Sequence, residues 1–212
     1  MIMTLYALKP RFQALLRPLA ARLARAGVTA NQVTLAAALG SLVTGVLVAG
    51  TVAVAPGAQE IFLLIPLWLA LRMAMNALDG MLARDFAQQT PLGAYLNELA
   101  DVVSDAALIL PFALLAPFDP LTVAAVVFLA VLSELAGVLG PLVGAARRYE
   151  GPLGKSDRAL VFGGLGLAAA LLPALPLWLG WLMPALALLL CLTVVRRVRA
   201  GLAELNTQGG DR

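Results

Sequence analysis

Apolar side chains recur in two different rhythms along this chain, and the rhythm changes near residue 28. Before that point Leu5, Leu8, Phe12, Leu15, Leu16, Leu19 and Leu23 return at helical spacing, while Lys9, Arg11, Arg17, Arg22 and Arg25 occupy other faces. This predicts an amphipathic helix lying in a membrane interface, not the short apolar core of a secretory signal. Pro10 and Pro18 are expected to break or bend it. Beyond Gly27 the cluster Thr29, Asn31, Gln32 and Thr34 opens the next helix, with Asn31 as the expected N-cap. Apolar runs of bilayer-crossing length then follow near 33–55, 60–84, 92–116, 120–148, 157–174 and 177–198. They are separated at APGAQE, DFAQQTP, APFDP, RRYEGPLGK and PALP, where Pro and Gly mark nearly every break.

Composition turns this pattern into a fold class. The 212 residues are 61% hydrophobic and 13% charged, with mean hydropathy +0.92, whereas a soluble domain is about half apolar and a quarter charged. The expected fold is an all-α integral membrane protein: six transmembrane helices preceded by the interfacial helix. Its divisions are 1–28 (amphipathic juxtamembrane helix), 29–205 (six-helix transmembrane domain) and 206–212 (tail). Of the fifteen Lys and Arg, fourteen lie on one side of this arrangement, the exception being Arg72 within a span, and the opposite loops APGAQE, APFDP and PALP carry none. The positive-inside rule then puts both termini and the Asp79 end of the second span in the cytoplasm. A lone cysteine, Cys191, rules out an intrachain disulfide, and the lack of His leaves acid–base work to carboxylates or lysine.

Against that apolar background Arg72–Asp105 stands out, because it places Asp79, Asn97, Glu98, Asp101 and Asp105 inside membrane-length runs. At 100° per residue Asn76 and Asp79 lie about 60° apart on one helix face. Asn97, Asp101 and Asp105 share an arc of roughly 80° on the next. The short loop between the helices makes them antiparallel neighbours. Their oxygen-bearing faces can therefore converge on a hard cation.

The same stretch resembles the signature of the CDP-alcohol phosphotransferases, D-x2-D-G-x2-A-R followed by G-x3-D-x3-D. Asp79, Gly80, Ala83, Arg84, Gly93 and Asp101 match it, while Asn76 and Asn97 replace its first and third aspartates. GVTANQVTL is similar to the family's lead-in to the first membrane helix, with Ala30 in place of Pro. The resemblance implies transfer of a phosphatidyl or related phosphoryl-alcohol group from a CDP-linked lipid to an alcohol, releasing CMP, in phospholipid synthesis. It implies Mg²⁺ or Mn²⁺ held by Asn76, Asp79, Asn97 and Asp101, with Asp101 as general base. Gly80, Ala83, Arg84 and Gly93 would meet a CDP-diacylglycerol-like donor. Arg147, Arg148, Lys155 and Arg158 would hold a small alcohol or phosphorylated polyol.

Alternatives stand beside each of these. The cluster RRYEGPLGKSDRAL is equally explained by topology alone, with Ser156 capping the helix that Asp157 begins. Asp105 reads as support behind the ligands or as a replacement ligand, and Glu98 lies one step off the motif face. Glu134, alone in LSELAG, faces the bundle or a dimer partner. The Asn pair admits a non-catalytic member that binds nucleotide or lipid. Intramembrane carboxylates admit an ion-coupled transporter. The expected partners are the bilayer, the donor, the acceptor and a second copy of the chain, with no nucleic acid.

Overall fold

A computed structural model describes residues 5–210, with side chains from 12 to 207. The side chains of Leu5, Leu8, Lys9, Pro10 and Arg11 therefore lie outside the described residues, as do 211–212. Among the described residues every regular element is helical: α1 (Leu5–Arg25), α2 (Ala30–Val54), α3 (Leu64–Asp85), α4 (Pro91–Ile109), α5 (Pro120–Val138), α6 (Lys155–Leu171) and α7 (Leu182–Gly210). Four helical stretches are long and apolar enough to cross a membrane: Ala30–Val54, Gln59–Asp85, Pro120–Val143 and Leu177–Thr207. Besides α1, the helices outside these four are α4, which carries Glu98, Asp101 and Asp105, and α6, which is 17 residues long. Charge and length set them apart from the four.

Helix α1 runs uninterrupted through Pro10 and Pro18, contrary to the expected break. Pro18 sits on the exposed side, so the carbonyl it leaves unpaired one turn earlier faces outward. On the opposite side Leu16, Ala20, Leu23 and Ala24 pack with Val33, Leu78 and Leu82 of α2 and α3. Phe12, Leu15 and Leu19 stay exposed.

The caps correct two sequence readings. Thr29, not Asn31, begins α2: its hydroxyl accepts from Gln32 N–H at 3.2 Å, and Gln32 Oε1 accepts from Thr29 N–H at 2.9 Å. This reciprocal box satisfies two orphan donors, which Asn31 two residues later cannot do. Helix α6 begins at Lys155 under Gly154, whose N–H donates to Asp157 Oδ2 at 2.9 Å, so Ser156 is inside the helix. Thr90 caps α4 as Pro91 takes its first position.

Other boundaries follow from Pro and Gly. The span expected at 120–148 stops as an α-helix at Val138, continues as a tight turn over Gly140–Val143, and gives way to an irregular segment. The division at PALP is real, and Pro184 is tolerated because it falls in the first turn of α7. Gly45 lets α2 and α4 cross closely, since a Cβ there would strike the Ala107 carbonyl.

Away from the N-terminal side, Phe62, Phe112 and Phe162 form the main apolar core, with ring centroids 5.0 and 5.5 Å apart. Ile65, Leu108, Val123, Val126 and Met183 surround them. This core fixes α3, α4, α5, α6 and α7 around one another. It leaves the ends of α3 and α4 and the start of α6 to form the polar end of the bundle.

Candidate active site

Asp79, in the last two turns of α3, is buried and accepts from the Thr34 hydroxyl of α2 at 2.8 Å. Thr34 also lies 3.1 Å from the Ala30 carbonyl, so the start of α2 is tied to the carboxylate. Gln88 completes that join from the α3–α4 loop. Its Oε1 accepts from Ala30 N–H at 2.7 Å. Asp101 and Lys155 both lie within electrostatic range of Asp79. The two motif carboxylates therefore do converge, as the antiparallel helices required.

Asp101 is held from two sides. Arg72 Nη2 donates to its Oδ1 at 3.1 Å and to its backbone carbonyl at 3.2 Å, and Lys155 Nζ donates to Oδ2. Asn76 is half-buried and makes no side-chain hydrogen bond among the described residues, so its amide oxygen is available. Asn97 donates weakly to Glu98, at 3.5 Å. Arg84 is exposed, with no hydrogen-bond or ion-pair partner among the described residues. Its guanidinium lies along Gly80, where a Cβ would come within 3.2 Å of Nη2. Gly93 is matched in the same way to Asn31, whose Oδ1 would be 2.7 Å from a Cβ. Ala83 is half-buried between them in sequence. The space beside Gly80 and Gly93 is thus taken by the Arg84 guanidinium and the Asn31 amide, and the Arg84 fork has no partner among the described residues.

One turn below Asp101 the charges continue inward. Asp105 Oδ1 accepts from Arg72 Nη1 at 2.6 Å, and Oδ2 accepts from Arg158 Nε at 2.9 Å. Arg158 Nη2 reaches Glu134 at 2.9 Å, and Arg197 Nη1 lies 3.4 Å from the other Glu134 oxygen. Arg197 also donates to the Ser133 carbonyl and, at 3.2 Å, to the Glu150 carbonyl. The result is a buried ladder, Asp101–Arg72–Asp105–Arg158–Glu134–Arg197, crossing five helices. Arg72, Arg158 and Arg197 are only 3%, 2% and 2% exposed, so each is neutralised by partners and not by water.

Two of the four cations expected to hold an acceptor are committed elsewhere. Arg158 has five N–H donors. Besides Asp105 and Glu134, they reach Ser133 Oγ at 3.4 Å and the Leu153 carbonyl at 3.3 Å, which leaves none to spare. Arg148 turns to Glu150 at 3.1 Å and to Glu204 of α7. Arg147 and Lys155 stay beside α4: Arg147 grips Glu98, with Nη2 2.8 Å from Oε2, and Lys155 sits on Asp101. Glu134 faces the bundle, where it has the partners that the sequence could not name. Arg72 and Thr34 are the contributions that sequence reasoning missed. A lone arginine in an apolar run was a usable signal; Thr34 stood in the polar cluster that opens α2, with nothing in the sequence to tie it to Asp79.

Two carboxylates and two amide oxygens make a hard-oxygen set that suits Mg²⁺ or Mn²⁺ shared with phosphate. Among the described residues no three Asp, Glu, His or Cys side chains gather as ligands. Such an ion would therefore depend on substrate oxygens for much of its shell.

A sequence model of the CDP-alcohol phosphatidyltransferases matches residues 27–195. The chain belongs to that family. With membership comes transfer of a phosphatidyl group from a CDP-linked lipid to an alcohol. This transferase is 48% identical over 199 residues to the inner membrane protein YnbA of Escherichia coli (strain K12), covering 93% of this chain and 96% of that one. With its apolar helices, that likeness places it among multi-pass membrane proteins. Its fold is that of the Mycobacterium tuberculosis phosphatidylinositol phosphate synthase PgsA1. The structure of that synthase with manganese and citrate superposes with TM-score 0.70 at 20% identity, covering 87% of each chain. The structure with CDP-DAG bound gives 0.70 at 20%, covering 87% of this chain and 92% of the other.

Proposed function

We propose that the transferase moves the phosphatidyl group of a CDP-diacylglycerol-like donor to a small alcohol or phosphorylated polyol at the cytoplasmic face of the inner membrane. The observation that carries this is the meeting of Asp79, Asp101 and Lys155 at one end of the bundle, beside the unpartnered Arg84 on Gly80. Arg84 would hold the donor's phosphates, with Gly80, Ala83 and Gly93 giving the nucleotide close access to the helix backbones. Arg147 and Lys155 would meet the acceptor.

Asp101 is assigned as the base that takes the acceptor's hydroxyl proton; Arg72 orients its carboxylate by holding one oxygen and the backbone carbonyl. Asn76, Asp79, Asn97 and Asp101 would hold Mg²⁺ or Mn²⁺, which when bound neutralises charge on the diphosphate and the departing CMP.

In this reading α4 and α6 complete six membrane spans of residues 29–205, since their charges are paired inside the bundle. Helix α1 lies along the cytoplasmic surface, with exposed Phe12, Leu15 and Leu19 toward acyl chains and Arg17, Arg22 and Arg25 near anionic headgroups. The tail at 206–212 and the N-terminus are both cytoplasmic. Two copies form the working assembly.

The test is CMP release from labelled CDP-diacylglycerol by purified protein against a panel of alcohols, with and without Mg²⁺. Release that needs both an alcohol and the ion is expected. Asp101→Asn should lower it by about 10²–10⁴-fold while CDP binding persists. Wild-type rates in Asp101→Asn would remove the assigned base. Silence of the unaltered protein with every alcohol would make it a non-catalytic binder.

A further inference from the structure

Between α3 and α4 one loop side chain turns inward. Phe86, Ala87, Gln89 and Thr90 are exposed, whereas Gln88 is half-buried. The backbone bends to put it there. Ala87 sits at φ +54, a left-handed conformation that a residue with a Cβ seldom adopts and that persists only where its surroundings hold it. Gln88 then bonds in three directions. Its N–H returns to the Ala83 carbonyl at 3.1 Å and closes the end of α3. Its Oε1 accepts from Ala30 N–H at 2.7 Å, a first-turn donor that has no partner inside its own helix. The Thr29–Gln32 box serves the neighbouring N–H groups and leaves that of Ala30 to Gln88. Gln88 Nε2 reaches the Val28 carbonyl at 3.4 Å. Val28 is held in turn, because Gly27 at φ +77 lets its N–H return to the Leu23 carbonyl of α1 at 3.0 Å.

The atoms that Gln88 grips adjoin the donor residues without being them. Ala83 precedes Arg84, and Ala30 precedes Asn31, whose amide fills the space beside Gly93. We propose that Gln88 is a positioning residue for the donor's nucleotide. By tying the first turn of α2 to the end of α3, it keeps Arg84 and Gly93 at the separation that the CDP group needs. This rests on the assignment of those residues to the donor in the transferase reading. Cutting the tie should leave the fold standing, since Leu16, Ala20 and Leu23 still pack with Val33, Leu78 and Leu82. The nucleotide would then be held between helix ends that drift, and the step after binding would be little altered. Gln89, next in the chain and exposed, supplies an internal comparison.

The experiment uses purified full-length protein in detergent at fixed free Mg²⁺. CDP binding is measured by calorimetric titration, and CMP release from CDP-diacylglycerol is followed against a panel of alcohols. Gln88→Met, of similar length but without the amide, should weaken CDP binding and raise the donor KM by about 5- to 10-fold, the worth of a neutral hydrogen bond. Its kcat and acceptor KM should stay within about twofold of wild type, because only the nucleotide's seat has loosened. Gln88→Asn keeps the amide but is one methylene too short to span the gap, so it should behave alike, and it carries the test if the Met variant does not fold. Gln89→Met should match wild type. Unchanged CDP affinity in both Gln88 variants overturns the proposal. So does a fall in kcat with CDP affinity and donor KM untouched, which is what loss of folded protein alone would give, or an acceptor KM that rises as much as the donor's. Wild type that binds CDP but releases no CMP with any alcohol sinks the transferase reading, while the CDP affinities still decide for or against Gln88. Wild type that does not bind CDP at all overturns both.

Discussion

The two ends of the bundle are built on opposite economies. At one end Phe62, Phe112 and Phe162 meet through many weak, interchangeable contacts. At the other a few charged side chains each serve two partners, as Asp105 does for Arg72 and Arg158. In a bilayer the apolar end gains little from leaving its surroundings, because lipid tails are as apolar as leucine, so only packing holds it. The charged end cannot lose one member without stranding the next in a medium that does not solvate it. Atom for atom, substitutions should therefore cost far more at the charged end.

The largest effect is expected at Arg158→Met, which keeps the volume but leaves Asp105 and Glu134 short of a shared cation. Thermal unfolding in detergent should show a loss of about 3–5 kcal/mol. A near-neutral result would mean that water reaches the ladder. Next comes Thr34→Val, which removes the one side-chain donor to Asp79 among the described residues and costs about 1.5–3 kcal/mol. That loss should be accompanied by a higher KM for the donor, and an unchanged KM would detach Thr34 from the site. Smallest is Phe112→Leu, at about 1 kcal/mol, because neighbouring side chains can close part of the gap. If it proves as costly as Arg158→Met, the contrast between the two ends fails.

How far each end could be foreseen differs in the same way. Helix existence was legible throughout, because Pro and Gly punctuate the apolar runs and each boundary has a local cause. The approach of Asp79 to Asp101 was legible too, since a short loop and helical spacing suffice to bring the faces together. Pairings over longer distances were not. Arg158 and Asp105 are 53 residues apart, and Arg158 and Glu134 are 24 apart, on helices whose rotation is set by the packing of the whole bundle. Four cations in RRYEGPLGKSDRAL looked equivalent as a string. Only burial separates Arg158, which is spent on the ladder, from Lys155, which is partly open. The α2 cap was a missed local signal: Thr29 followed three residues later by Gln32 is a capping box in plain sight.

The ladder also sets an order on how the chain can be put together as it is made. Arg72 emerges first and alone, at a cost of about 2.5–3.5 kcal/mol for an arginine at the centre of an inserting helix. Helix α4 then brings Asp101 and Asp105 as its counter-charges, and the hairpin of α3 and α4 is the first unit that hides them together. Helix α5 adds Glu134, whose cations have not yet been synthesised. From the arrival of α4 until that of α6 the growing bundle is therefore short of positive charge, and Lys155, Arg158 and finally Arg197 make good the deficit. Helix α7, made after the other six, closes the circuit, so a nascent chain cut short before it carries a half-paired Glu134 carboxylate.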